Sequence, residues 1–362
     1  MSNKIKIFLV SNMYPTAEYP TYGIFVKNFE DSMVKEGHLV VSRAVIEGQL
    51  SSLKEKVSGY LDFYVQTIRK ALKNDYDLIY VHYILHSVIP LMLVRPFVKK
   101  PMVLNAHGSD ISPKSRFLTI VQKMMGRFLR RATLVVVPSD YYRQVVAERL
   151  KIKPSRIFVS PSGGIDIELM RPQALPEEDD RFTVGYVSRI DQGKGWDVYL
   201  EALRTLKDSF PGNNLRGLMV GDGAQRDKML AMLKEYSLED VVEYVGLKPQ
   251  GELPHYFGRM DIFVFPTMII ESLGLVGLEA MACGVPVIGS RIGGLQGYID
   301  EDVNGYLFPP GDVSALATRI KDFSELAPEK KKEMSVNARS TALRYDRNKV
   351  SRDLAARIMT LL

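Results

Sequence analysis

Two carboxylates, Glu271 and Glu279, stand with seven residues between them in an otherwise apolar run from Asp261 to Gly294, DIFVFPTMIIESLGLVGLEAMACGVPVIGSRIGG. The pattern predicts a buried strand over Ile262–Phe265, a loop carrying Glu271, a helix from about Gly274 to Cys283 carrying Glu279, and a strand over Val285–Ile288. Gly284 suits the residue just past a helix end, where a positive φ is favoured. Strand, loop, helix, strand is the repeating unit of a parallel sheet. Within it Glu271 precedes a helix N-terminus, whose unpaired N–H groups and dipole attract anions. Eight residues of helix would separate the two acids by about 12 Å at 1.5 Å per residue. Two readings stand open here: carboxylates gripping one extended polar ligand, or a dipole-favoured acid beside an unrelated, satisfied one.

Cations stand where an anionic ligand would need them. Arg189 and Lys194 flank the glycine-bearing loop between the predicted strand FTVGYVSRI (182–190) and a helix from about Trp196. Two cations beside exposed first-turn amides fit a phosphate; solvated surface charge is the alternative. His107 ends the predicted strand of PMVLNAHGSD (101–110), and ligands of open α/β sheets bind beyond the carboxyl ends of strands. Gly108 beside it allows close backbone approach. Gly23 lies in the first loop, between a strand over 4–10 and a helix from about Ile24 to Glu36. That βαβ opening lacks G-x-G-x-x-G and is a weak dinucleotide signal.

Metal chemistry finds little support. The single cysteine, Cys283, sits on an apolar helix and reads as core. His82 and His86 are four apart, but on a segment that reads as a strand leading into a loop. Asp75-Tyr76-Asp77 has the D-x-D form by which some sugar transferases hold a divalent cation, yet it precedes its strand as a turn. No metal and no cofactor are expected.

These residues need a scaffold, and the chain's 362 residues favour two domains over one. Strands alternate with helices throughout, which predicts an α/β architecture of doubly wound parallel sheets. Six or seven strands are expected before residue 170. The polar, proline-bearing RPQALPEEDDR (171–181) is expected to link the halves. Residues 60–73 read as an amphipathic helix, and 345–362 as a final one. No signal peptide and no spanning helix are recognised, so a cytoplasmic location is expected.

Charge is unevenly placed. Residues 1–170 hold 24 Lys+Arg against 14 Asp+Glu, a net +10, while the remainder carries −4. A basic half suggests an anionic partner: nucleic acid, anionic lipid or a phosphorylated substrate. The helix KSRFLTIVQKMMGRFLRRA (114–132) interleaves Lys114, Arg116, Lys123, Arg127, Arg130 and Arg131 with apolar residues. It reads either as a sheet-covering helix with a solvated face or as one lying on an anionic membrane. One helix can do both with different edges.

Taken in order along nearly the whole chain, these motifs resemble family 4 of the retaining glycosyltransferases, which have the GT-B fold. The carrying residues are Gly23, His107-Gly108-Ser109-Asp110, Pro161-Ser162-Gly163-Gly164-Ile165-Asp166, Val187-Ser188-Arg189 with Lys194-Gly195, Gly221-Asp222-Gly223, Val245-Gly246, Glu271 to Pro286, and Asn304-Gly305. The E-x7-E stretch with its trailing Glu-Ala-Met-Ala-Cys-Gly-Val-Pro-Val is the most specific of them. The resemblance implies two Rossmann-like domains facing a cleft, residues 1–170 plus 345–362 for the acceptor and 171–344 for a nucleotide-sugar donor.

It also implies roles. Arg189 and Lys194, with the amides of Gly274, Leu275 and Val276, would neutralise the donor diphosphate. Glu279 would hold the ribose and Glu271 the transferred sugar, so that the two acids span the donor rather than act as an acid/base pair. His107 would lie beside the anomeric centre, and Gly23 would let the first loop close over the phosphates. The base would lie near Val245–Lys248, at Gly246 and Leu247, bound through backbone, with UDP the expected nucleotide. Two positions depart from the family pattern: Ser162 where asparagine is common, and Leu273 where phenylalanine is usual. The opening SNMYPTAEYPTYGIFVKNFE resembles relatives that build bacterial surface polysaccharides. The partners implied are a nucleotide-sugar, a lipid-linked saccharide acceptor and an anionic membrane surface at the inner face of the cell membrane, and no nucleic acid. A nucleotide-sugar epimerase of the same fold and a non-catalytic nucleotide-sugar binder are the alternatives.

Overall fold

A computed structural model describes residues 4–108, 110–111, 116–173, 181–210, 212 and 214–362, without the side chains of 116–118. The chain divides into two compact units, residues 1–164 with 348–362, and residues 165–347.

The first unit runs β1 (Lys6–Tyr14), α1 (Ile24–Lys35), β2 (Leu39–Glu47), α2 (Leu53–Lys73), β3 (Leu78–His82), α3 (Ile84–Ser87), α4 (Ile89–Val94), β4 (Met102–Asn105), α5 (Arg116–Leu129), β5 (Leu134–Val137), α6 (Asp140–Leu150) and β6 (Ile157–Val159). Its six strands form one sheet in the order β2-β1-β3-β4-β5-β6, every pair parallel. Phe8, Val10, Ile79, Val81 and Leu104 face a core shared with α2, α4, α5 and α6. Their neighbours Ile7, Leu9, Leu78, Tyr80 and Val103 face the other side, toward α1. Burial on both faces is why these strands read as near-continuous apolar runs.

The second unit repeats the plan with β7 (Phe182–Val187), α7 (Trp196–Leu206), β8 (Leu215–Val220), α8 (Arg226–Glu235), β9 (Val242–Tyr244), α9 (Leu253–Gly258), β10 (Ile262–Phe265), α10 (Leu275–Ala282), β11 (Val287–Ser290), β12 (Gly305–Phe308), α11 (Val313–Ser324) and α12 (Pro328–Leu343). Its order is β12-β11-β10-β7-β8-β9. Both sheets therefore have a point where successive strands depart in opposite directions, between β1 and β3 and between β7 and β10. Loops leaving the carboxyl ends there open the crevice in which such sheets bind ligands.

The last helix, α13 (Arg347–Met359), returns to the first unit, where Leu354, Ala355 and Ile358 join the core beside β1 and α1. The domain boundaries differ from the sequence expectation at both crossings. Residues 165–170 and 345–347 belong to the second unit because Ile165 N–H donates to the Tyr345 carbonyl at 2.9 Å and Arg347 N–H to that of Ile165 at 2.9 Å. Arg339 of α12 further holds the Met170 carbonyl at 2.6 Å. The expected linker 171–181 thus follows the crossing rather than forming it, and its residues 174–180 lie outside the described ones.

Other differences have local causes. β1 continues to Tyr14, past its apolar run, because polar Asn12 N–H donates to Ser87 Oγ at 3.2 Å and Tyr14 OH to Glu30 at 2.6 Å. α2 starts at Leu53 rather than near residue 60, set by a capping box in which Ser52 accepts from Glu55 N–H and the Glu55 side chain reaches back. His86 lies in the short helix α3, not in a loop, and Asp77 is committed to structure, accepting Lys6 N–H at 2.8 Å.

Candidate functional site

In the second unit the loops after β7 and β10 leave adjacent parallel strands, so Arg189, Lys194 and Glu271 are brought to one edge. The β7 loop is fixed by its own backbone. Lys194 N–H donates to Asp191 O at 3.2 Å, and the buried Tyr186 hydroxyl reaches the carbonyls of Arg189 and Lys194 at 3.3 and 3.4 Å. Met268 N–H then donates to Gly193 O at 2.8 Å, stapling this loop to the one after β10. Gly195, the residue before α7, has φ +74° and lies so close to Pro266 that a Cβ would come 1.8 Å from its carbonyl oxygen.

Lys194 Nζ bonds Glu271 Oε1 at 2.7 Å, and Thr267 Oγ1 donates to the same oxygen at 3.3 Å. The two side chains are only 13% and 18% exposed, so this pair is screened less than one on the open surface. Arg189 differs. It is 71% exposed and pairs with Asp191 at 2.8 Å, a contact cheap enough to exchange for an anionic ligand.

Gly274, at φ +87°, opens α10 and packs against the Phe265 ring, which a Cβ would meet at 2.9 Å; its carbonyl accepts from Tyr298 OH at 3.0 Å. The turn aims the first amides of α10, those of Leu275 and Val276, out of the helix end without intrahelical acceptors. Only Leu275 onward is helical, so helical rise accounts for about 6 Å of the Glu271–Glu279 separation, not the full eight-residue rise. Glu279 accepts from Gln250 Nε2 at 2.8 Å. Burial holds its carboxyl above the usual range, with Gln250 and the Arg347 charge pulling the other way. Gly246, at φ +72°, has open space where a Cβ would stand, and Leu247 beside it is 73% exposed.

Sequence reasoning missed two supports. Gly293 and Gly294, after β11, lie against the Glu271 loop so tightly that Cβ atoms would come within 2.5 Å of Glu271 O and 2.6 Å of Leu273 Cα; Gly294 N–H donates to Glu271 O at 2.9 Å. The doubled glycine after a strand was the available signal. Gln250 carried none. Gly221-Asp222-Gly223 proves structural: Cβ atoms on its glycines would lie 1.8 Å from Ser188 O and 2.5 Å from Ile190 O.

The first unit carries His107, two residues beyond β4. Its backbone N–H and that of Gly108 both donate to Asp110 Oδ1 at 2.9 Å, while Asp110 Oδ2 accepts from Ile84 N–H at 3.0 Å. Asp110 is buried, and burial raises its carboxyl while these amides lower it. It therefore ties the His107 loop to the end of β3, a role the sequence did not disclose. Gly23, at φ +73°, starts α1 where a Cβ would lie 2.8 Å from backbone atoms of Met13 and Tyr14. The helix it starts packs Phe25 against His107, ring centroids 4.2 Å apart and planes tilted by 41°.

His82 does not partner His86. Its Nδ1 lies 3.0 Å from His107 Nε2. Among the described residues no group of three or more His, Cys, Asp or Glu is placed to hold a metal. Cys283 is buried and its thiol is pushed up to about 12 by that burial. Ser162 has φ +48°, a left-handed conformation that asparagine adopts more readily than serine, which accounts for the residue usual there. Leu273 is buried, filling with a smaller side chain the place of the expected phenylalanine.

On α5, Met125, Phe128 and Leu129 face the core, whereas Arg127 is exposed together with Ile120 and the 77%-exposed Met124, as are Arg130 and Arg131 in the turn that follows the helix. Lys114 lies outside the described residues. α2 turns a second apolar stripe outward, Leu53, Val57, Leu61 and Val65, at four-residue intervals. No helix among the described residues is long and apolar enough to cross a membrane.

Comparison with known proteins agrees with this layout. Residues 168–341 match the family described as Glycosyl transferases group 1, and residues 31–169 match Glycosyltransferase Family 4. The putative colanic acid biosynthesis glycosyltransferase WcaL of Escherichia coli is 29% identical over 70% of this chain and 63% of its own length, so the chain spans less than two thirds of that relative. The D-inositol 3-phosphate glycosyltransferase of Saccharomonospora viridis is 30% identical over 75% of this chain and 67% of its own. Among solved structures, Anabaena HepE in complex with UDP superposes with a TM-score of 0.76 at 21% identity, covering 98% of this chain and 100% of that one. Two doubly wound parallel sheets, the loops at their switch points and these matches make the chain a member of the family 4 glycosyltransferases, with the GT-B fold.

Proposed function

We propose that this protein transfers a hexosyl group from a nucleoside-diphosphate sugar, UDP being the foremost nucleotide, to a hydroxyl of a saccharide acceptor carried on a lipid, with retention of anomeric configuration. The observation that carries the reading is the Lys194–Glu271 pair beside the open amides of α10. It sets a cation and helix N-terminus where a diphosphate is needed and a carboxylate where sugar hydroxyls are needed, at the switch point of the sheet. WcaL is named for colanic acid biosynthesis, which favours a saccharide acceptor, and HepE holds UDP, which favours that donor.

In the reaction the acceptor oxygen forms a bond to the anomeric carbon as the bond from that carbon to the diphosphate oxygen breaks. The acceptor proton passes to the leaving diphosphate on the same face. Negative charge grows on the phosphate oxygens, and groups fixed in advance for that charge lower the barrier. Lys194 leaves Glu271 for the diphosphate, Arg189 exchanges Asp191 for it, and the amides of Leu275 and Val276 complete the cradle. Glu271 turns to the sugar, Glu279 holds the ribose, and the base lies along Gly246 and Leu247. His107 meets the transferred sugar. The diphosphate charge is carried by these side chains and amides, without a metal.

Glu271→Ala is expected to lower transfer from labelled UDP-hexose into a membrane-lipid extract by about a hundredfold or more. The fold should persist, because the loop is held through the Glu271 carbonyl by Gly294. Unchanged turnover in a folded variant would sink the reading. The basic, apolar-edged faces of α5 and α2 are proposed to bring the protein to an anionic membrane surface, where a lipid-linked acceptor resides. Vesicle flotation should then show binding that requires anionic lipid. Replacing Arg127, Arg130 and Arg131 by Gln should weaken it roughly a hundredfold, at about 1 kcal/mol per charge. Equal binding to neutral vesicles rejects this.

A further inference from the structure

Of the two nitrogens 3.0 Å apart, His82 Nδ1 and His107 Nε2, one must carry a proton and the other must not if both rings are neutral. Neutrality follows from surroundings. Phe25 and Phe29 of α1 and Tyr80 of β3 pack their rings against the pair. Burial lowers both imidazoles, His107 to about 3, and His82 also feels the His107 charge. The titratable groups nearby are Asp110, whose oxygens are taken up by the amides of Ile84, His107 and Gly108, and the hydroxyls of Tyr80 and Tyr83. Among the described residues no carboxylate hydrogen-bonds either ring.

The direction of the shared proton is set by the far side of His82. Its Nε2 is buried and has no hydrogen-bond partner among the described residues. A buried N–H without an acceptor is rarer and more costly than a bare acceptor lone pair. The proton therefore belongs on His82 Nδ1, which donates to His107 Nε2, and His107 carries its own proton on Nδ1. His107 is only half-buried, and that Nδ1–H is the polar atom it has left to offer.

We propose that His82 is a positioning residue that locks His107 in the neutral Nδ1–H tautomer, so that His107 presents a fixed hydrogen-bond donor, not a base, to an oxygen of the bound sugar donor. This rests on the reading above that His107 meets the donor. A donor of fixed direction costs no reorganisation when charge develops on the oxygen it faces. A ring free to flip, or free to protonate, would be a variable mixture of donor and acceptor.

Two-bond 1H–15N correlation of the imidazoles in the full-length protein tests the tautomer without reference to turnover. The expected spectrum has a pyrrole-type Nδ1 and an imine-type Nε2 on His107, unchanged between pH 8 and 5. His82→Leu removes the donor, and should release the tautomer and cut kcat/KM about tenfold. The rate should stay independent of pH between 8 and 5, because the burial that keeps His107 neutral remains. His82→Asn, whose amide NH2 can occupy the place of Nδ1–H, should restore both the tautomer and the rate. A protonated Nε2 on His107 in the wild type, or a tautomer unmoved in His82→Leu, overturns the proposal. A wild-type protein with the expected tautomer that binds no nucleotide-sugar overturns the functional reading instead.

Discussion

Lys194→Ala is expected to lower kcat for hexosyl transfer by about two to three orders of magnitude, the scale of removing one fixed donor to a developing oxyanion. Lys194 is held by three separate restraints: its amide on Asp191, its carbonyl near Tyr186 OH, and its ammonium on Glu271 at 2.7 Å. The two backbone restraints persist when the ammonium exchanges Glu271 for the diphosphate, so its loss removes a charge delivered from a fixed loop. Arg189 cannot replace it, being largely exposed and paired with Asp191. Stability should fall little. The backbone bonds of the loop remain, and Glu271 keeps Thr267 Oγ1 as a donor. A circular-dichroism melt close to wild type alongside lost turnover would separate catalysis from folding. Steady-state kinetics should place the loss in kcat more than in the KM for donor, because charge on the leaving diphosphate is greatest in the transition state.

Gly195→Ala is expected to be nearly as damaging while leaving every charged group in place. The residue has φ +74°, and its Cβ would lie 1.8 Å from the carbonyl oxygen of Pro266, a backbone atom that cannot rotate away. The loops after β7 and β10 must then separate by an ångström or more. A displacement of that size costs on the order of a hundredfold in rate. The left-handed conformation adds about 1–2 kcal/mol of strain to the folded state. Donor binding and turnover should both fall, with a lowered thermal midpoint. Gly37→Ala, at a similar φ of +88° but with open space around it and away from the donor loops, provides the control in which strain occurs without displacement. If both variants behave alike, contact with Pro266 is not what the glycine serves.

Much of this arrangement was legible in the sequence because parallel strands buried on both faces are written as apolar runs. Glycine and charge after such a run mark a loop at a carboxyl end. Arg189, Lys194 and Glu271 were found that way, whereas the return of the final helix to the first unit was only implied by the family resemblance. What stayed hidden depends on partners distant in sequence. Asp110 holds His107 through backbone amides, one of them Ile84, twenty-six residues away. Gln250 reaches Glu279 from a loop with no motif. His82 shows its importance only when β3 and β4 pair in register, His82 opposite Asn105. The domain boundary slipped because proline and charge mark residues 171–181 more strongly than the bonds of Ile165 to Tyr345 and Arg347 mark the true crossing. The separation of Glu271 and Glu279 was overstated for a different reason: helical rise was applied from Glu271, although the sequence already places that residue in the loop before the helix at Gly274.

The most direct measurement is a thermal-shift titration of the wild type and Lys194→Ala with UDP, GDP and their hexose conjugates, since a ligand that binds only the folded state raises its midpoint. The account predicts a rise with UDP and UDP-hexose in the wild type, growing with concentration and largely lost in Lys194→Ala. No rise with any nucleotide, or an equal rise in both proteins, would contradict a donor site built on Lys194.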